Sequence, residues 1–133
     1  MRNPWRPSAS IAIVLSALAL SACGPKRVEV LVNAYNFAFQ PDTIEVPAGA
    51  EVTLTLVNRG NAEHVWLILD QDHELTLPYD EDDSEHVLAR TIADVGGRET
   101  LTFTAPAKKG EYTIVCSLPG HAEAGMIGTL IVK

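Results

Sequence analysis

Apolar and polar residues alternate along most of this chain, and turn-forming residues cut the alternation into short lengths. Val28, Val30 and Val32 alternate with Glu29 and Leu31, and Val52, Leu54 and Leu56 alternate with Thr53, Thr55 and Val57. Thr100-Leu101-Thr102-Phe103-Thr104 repeats the pattern. A period of two sends successive side chains to opposite faces of a strand, so one face can be buried while the other stays wet. Val65 to Leu69 is instead a continuous apolar run, as expected of a strand covered on both faces. Thr43 to Val46, Tyr112 to Cys116 and Ile127 to Val132 complete the set. Pro41, Pro47-Ala48-Gly49, Asn58-Arg59-Gly60-Asn61 and Pro106 mark the turns between them. Short strands at this spacing, with almost no helical periodicity, predict an all-β, Greek-key β-sandwich of about seven or eight strands. Trp66 and Phe103 are expected in its core.

Asp70 to Glu85 breaks the rhythm. It holds Asp70, Asp72, Glu74, Asp80, Glu81, Asp82, Asp83 and Glu85 with few apolar residues, which predicts a solvated loop containing at most one helical turn. His73 and His86 flank it, and such polar surroundings favour exposed titrating residues over a weak secondary metal site.

The first residues read as an export leader spanning residues 1–22. Arg2 and Arg6 give a positive start, and Ala9 to Ala22 is apolar but short for a bilayer span of about 20 residues. Trp5 belongs to this removed segment. Leu20-Ser21-Ala22-Cys23 resembles the bacterial lipobox, in which the Cys is lipidated and becomes the mature N-terminus. The expected product is anchored through Cys23 to a bacterial membrane, on the periplasmic or another extracytoplasmic face. Residues 23–26 form a tether, and residues 27–133 form one domain of ordinary size. Gly24, Pro25 and Lys26 reach only about 10 Å, which keeps the domain close to its membrane.

Ten basic against seventeen acidic residues give a formal charge of −7, and loss of Arg2 and Arg6 makes the product more acidic still. Nucleic acid is therefore excluded as a partner, because phosphate binding needs clustered Lys and Arg. With Cys23 lipidated, Cys116 is the one remaining thiol and no internal disulfide can form. An exported chain that keeps a lone thiol points to a use for it, and metal ligation is one.

The surroundings of Cys116 supply that use. Cys116, His121 and Met126 follow one another with four residues between each pair, and His64 opens a strand upstream. Two imidazoles and a thiolate in a plane, with a thioether on the axis, describe a blue-copper electron-transfer site. Pro119 and Gly120 suit the turn that folds His121 back towards Cys116, and Gly125 lets the backbone bring Met126 round. Zinc is the other ion that a Cys and two His would take, but the thioether argues for copper.

These residues resemble the cupredoxins, the plastocyanin–azurin superfamily of small blue-copper proteins. The likeness runs from about Val28 to Lys133. It includes Phe39-Gln40-Pro41, Ile44-Glu45-Val46-Pro47-Ala48-Gly49, the strand ending at Asn58, and Tyr112 four residues before Cys116. The ligand spacing is most similar to auracyanin-like and azurin-like bacterial members. The resemblance implies His64, Cys116 and His121 as equatorial copper ligands and Met126 as the axial one. Many members carry Asn directly after the first His, where it ties the two ligand loops together. Here that position is Val65, so Ser117 loses its usual partner, and Glu63 adds an acid before His64. Gly120 stands where a binuclear copper centre would need a second Cys.

The implied function is a membrane-tethered, one-electron carrier and not an enzyme, since four protein ligands leave no open position for substrate. Only four His occur, too few for the further centres of a multicopper oxidase. Redox proteins, such as a cytochrome or a membrane oxidoreductase complex, are the expected partners of a monomer. Electrons would cross at the His121 edge, framed by Leu118, Pro119, Ala122 and Ala124, with the acids of Asp80 to Glu85 either steering a basic partner or only solvating the surface. The alternative is a copper storage or delivery lipoprotein without redox turnover. A chaperone usually offers exposed Met-rich or His-rich ligands, whereas one Met, Met126, survives the loss of the leader.

Overall fold

The computed structural model describes residues 24–133, so the expected leader and the Cys23 lipidation site lie outside the described residues. The alternating segments become strands because each has an apolar row to bury. In chain order these are β1 (Arg27–Tyr35), β2 (Ala38–Gln40), β3 (Thr43–Val46), β4 (Glu51–Asn58) and β5 (His64–Leu69). One short helix, α1 (Glu81–Glu85), precedes β6 (Val87–Ala93), β7 (Arg98–Thr104), β8 (Gly110–Val115) and β9 (Ile127–Val132).

Two mixed sheets face each other, in the strand orders β2-β1-β4-β7 and β3-β9-β8-β5-β6. β1 runs parallel to β4 and β3 parallel to β9, while the other pairings are antiparallel. The inward rows meet in one core that includes Val52, Leu54 and Leu56 from one sheet and Trp66, Ile114 and Leu130 from the other. All six residues of β5 are buried, as the continuous apolar run predicts. Trp66 is fully buried with its ring centroid 6.0 Å from that of Phe103. Each buried Leu, Ile or Val side chain contributes roughly 1.5–3 kcal/mol, so β5 is held rigidly and with it the residue that opens it, His64.

The described residues form nine strands, more than the seven or eight expected. β2 has only three residues and gives no periodic signal. β6 lies at a sheet edge, where Leu88 and Ile92 stay 47% and 40% exposed and Ala93 is buried, so its pattern does not separate cleanly.

The acidic segment departs from a purely solvated loop. Asp80 caps α1, accepting from the backbone N–H groups of Asp82 and Asp83, while the Asp83 side chain accepts from the Asp80 N–H. Asp83 is only 1% exposed, and its Oδ1 lies 2.7 Å from His73 Nε2. His73 is thus largely covered, not exposed, and its ring stacks on His86 with centroids 4.1 Å apart and planes 10° from parallel. Parallel stacked imidazoles hold their lone pairs in separate planes, which argues against both rings ligating one ion at about 2 Å.

The sandwich has two distinct poles. At one, the Glu51 N–H donates to Lys26 O at 2.8 Å, Ala48 N–H to Lys133 O at 2.9 Å and Asp70 N–H to His86 O at 2.9 Å. The entry of the chain and both ends of the acidic segment therefore share this pole. The start of β5, the end of β8 and the β1–β2 turn lie at the other.

Candidate metal centre

His64 is placed by the loop that precedes it. Asn58, buried at the end of β4, donates from Nδ2 to Ala62 O at 2.7 Å and to Ala93 O at 2.9 Å. Its Oδ1 accepts from the Gly60 N–H at 2.9 Å. One side chain thus closes the 58–62 turn and pins it to the end of β6, which pairs with His64 through Ala93. Gly60 packs directly behind the ligand: a Cβ there would lie 2.6 Å from His64 Nε2, so no other residue fits without moving the ring.

The second segment leaves β8 at Cys116 and returns at β9. The Cys116 N–H donates to Met126 O at 3.1 Å, and the Met126 N–H donates to His121 O at 3.0 Å. The His121 N–H donates to Leu118 O at 3.0 Å, closing the turn at Pro119-Gly120. Gly120 and Gly125 have φ of +82° and +97°, a region that side chains oppose, so the loop needs glycine at both. These bonds fold three ligand types back on one another within a single turn-rich segment.

The two segments bring one ligand atom each from His64, Cys116 and His121 within 4.8 Å of one another. Cys116 Sγ lies 3.4 Å from His121 Nδ1, and the two imidazole centroids are 5.2 Å apart. His64, Cys116 and Met126 are fully buried, while His121 is half-buried. All four residues expected from the sequence therefore meet at one pole. Val65, which lacks a side-chain donor, still joins the ligand loops: its backbone N–H donates to Cys116 Sγ at 3.4 Å. The Leu118 N–H aims at the same sulfur. One part of the expected rim fails, since Ala122 is 1% exposed and faces the core. Phe37 stands at the rim instead, 48% exposed, its ring edge-on to His121 at a centroid distance of 5.4 Å.

Burial pushes the Cys116 thiol above its ordinary pKa, partly offset by the N–H groups of Leu118 and Val65. Burial also lowers the His64 pKa, helped by repulsion from His121. Both groups are thus held neutral without a metal. Both His64 nitrogens are buried, and neither finds a hydrogen-bond partner among the described residues. A buried imidazole with two idle nitrogens is costly, and a cation between it, a thiol and a second imidazole removes part of that cost by engaging one of the two nitrogens. The donor set fits copper, with two nitrogens, one soft thiolate and a nearby thioether.

Asn36, Phe37, Asn58 and Gly60 all support this centre. Sequence reasoning marks Asn58 and Gly60 only as parts of a turn after a strand, and misses Asn36 and Phe37. Tyr35-Asn36-Phe37-Ala38 contains no Gly or Pro, and Asn36 alone is a weak turn signal.

Comparison with known proteins agrees with the geometry. The family described as copper binding proteins, plastocyanin/azurin family, matches residues 26–133. Auracyanin-B of Chloroflexus aurantiacus is 31% identical over 123 residues, covering 80% of this chain and 52% of that protein. This chain therefore spans little more than half of that relative. The copper-resistant cuproprotein CopI of Rubrivivax gelatinosus is 28% identical over 118 residues, covering 84% of this chain and 70% of CopI. The crystal structure of dithionite-reduced auracyanin from the photosynthetic bacterium Roseiflexus castenholzii superposes with a TM-score of 0.63 at 29% identity, covering 79% of this chain and 96% of that one.

Proposed function

Because the chain belongs to the plastocyanin/azurin family of copper-binding proteins, we propose that it is a type 1 copper, one-electron carrier tethered to a bacterial membrane outside the cytoplasm. The observation that carries this reading is the buried donor set, with His64, Cys116 and His121 within 4.8 Å and both His64 nitrogens idle. His64, Cys116, His121 and Met126 would hold the copper. Copper bound there supplies a Cu(II)/Cu(I) couple. The protein's part is to keep the four side chains from rearranging between the two states, through the rigid β5 and the bonds that cross the Cys116–Met126 loop. Four protein ligands leave no open position for a substrate, which supports a carrier over an enzyme.

Electron exchange at the His121 edge would use an apolar rim of Leu118, Pro119, Ala124 and Phe37. The acids of α1 end at His86, beside the far end of β5, so they are badly placed to steer a partner onto His121. Partners are redox proteins such as a cytochrome or a membrane oxidoreductase complex, met by a monomer. A lipid on Cys23 would enter at the pole opposite the ligands. β1, with nine residues at about 3.3 Å each, spans most of the distance between the poles. The His121 edge would then face away from the membrane, towards soluble carriers or protruding domains. The mass of the N-terminal peptide from membrane-extracted protein tests the tether, and an unmodified Cys23 refutes it.

Storage or delivery of copper is the second reading, favoured by the likeness to the copper-resistant cuproprotein CopI. Voltammetry separates the two. A carrier cycles reversibly by one electron with its copper retained in the presence of an apo acceptor. Transfer of the copper to that acceptor, without reversible cycling, supports delivery and overturns the carrier.

A further inference from the structure

The β1–β2 turn carries a backbone oddity beside the metal centre. Phe37 has φ of +67°, the single non-glycine among the described residues with a positive value. A bulky residue in the left-handed region is disfavoured, and Phe37 gains little from burial because it is 48% exposed. What it does gain is the edge-on contact with the half-buried His121 ring. Its neighbour Asn36 lies across Gly60 from the other imidazole. Asn36 Nδ2 donates to Asn61 Oδ1 at 2.6 Å, and the Asn61 N–H donates to Asn36 Oδ1 at 3.1 Å. This reciprocal pair locks the turn onto the loop that delivers His64. Across that loop, the point where a Gly60 side chain would begin is 2.6 Å from His64 Nε2 and nearer still to Asn36 Oδ1. The same block is tied again by the Arg59 N–H donating to Ala34 O at 2.8 Å and Arg59 Nε donating to Asn33 Oδ1 at 3.2 Å.

We propose that the Asn36-Phe37 turn is a positioning element that braces both imidazoles, with Asn36 behind His64 across Gly60 and Phe37 against the exposed side of His121. Neither residue ligates. The turn limits how far each ring can swing, so the spacing of the donors exists before an ion arrives. Asn36 Oδ1 does not bond His64; it stands across Gly60 from Nε2 and limits the room into which the ring can turn. The consequence for metal rests on the copper reading above, but the bracing itself does not.

The test uses the full chain with ¹⁵N-labelled histidine and the variants Phe37→Gly, Phe37→Tyr and Asn36→Ala. Ring dynamics are read by NMR in the metal-free protein, and release of Zn²⁺ to a chelator is timed in the loaded protein. Glycine accepts a positive φ without strain, so Phe37→Gly should keep or raise the melting temperature. The His121 ring should nevertheless become mobile, and release should quicken about two- to tenfold, the scale of one aromatic contact. Phe37→Tyr should restore both. Asn36→Ala should mobilise the His64 ring more than the His121 ring, and Asn36→Ser replaces it if it fails to fold. Unchanged ring dynamics in folded Phe37→Gly and in the folded Asn36 variant overturn the proposal. Mobile rings in the variants, in a chain whose wild type retains neither Zn²⁺ nor copper, would sustain the brace and remove the copper reading instead.

Discussion

Cys116→Ser abolishes the strong visible sulfur-to-copper charge-transfer band of the copper-loaded protein while leaving the sandwich folded. The band needs a thiolate on the metal, and serine offers a hard oxygen that stays protonated. The substitution is nearly isosteric. The N–H groups of Val65 and Leu118 that point at the sulfur can point equally at Oγ, so no buried donor is orphaned. Copper affinity should fall well beyond the ~10–100-fold cost of losing a supporting residue, because the soft ligand itself is gone. Optical titration with Cu(II), alongside circular dichroism for the fold, checks both statements. A band that survives in Cys116→Ser, or is missing from folded, copper-replete wild type, would refute the site.

The second large effect is on stability. An ion held by His64 and by the Cys116–Met126 loop joins segments distant in sequence, so it binds the native chain and not the unfolded one. At about a thousandfold excess over its dissociation constant it adds roughly 4 kcal/mol. At ~4–5 °C per kcal/mol for a domain of just over 100 residues, melting should rise by about 15–20 °C. The gain depends on pH. Burial keeps the Cys116 thiol protonated through the neutral range, so the ion must displace a proton. Affinity should therefore climb about tenfold per pH unit until the thiol ionises unaided. The metal-free chain behaves differently at each end. Its His64 pKa is lowered, so that stability is present above the unfolded imidazole value and lost as pH falls below it. Its Cys116 pKa is raised, so that stability is present below the unfolded thiol value and lost as pH rises past it. Calorimetry of the metal-free and loaded chain over a pH series checks this, with Cys116→Ser as control. An equal metal-induced shift at every pH would contradict a protonated, buried thiol.

The two site segments differ in how legible they are. Cys116, His121 and Met126 sit in one loop, so their spacing alone brings them together. His64 is farther away, and the sequence marks it only as a residue opening a strand. Asn58 reads as the end of a strand, yet its work is done by three hydrogen bonds to backbone groups that no local pattern reveals. The acidic run reads as solvated, yet Asp83 turns inward because His73 on the same excursion supplies a partner. Ala122 reads as rim and Phe37 as nothing, and the fold reverses their roles.

The sequence by itself determined the class of fold and the chemistry of the centre, because period two and ligand type are properties of neighbouring residues. Only the tertiary structure decided which elements support the ligands and which pole carries them. Those outcomes depend on contacts between residues far apart in the chain, such as Asn36 with Asn61 and Phe37 with His121. Each such contact is set by how two sheets pack, and packing is written in no single stretch of residues.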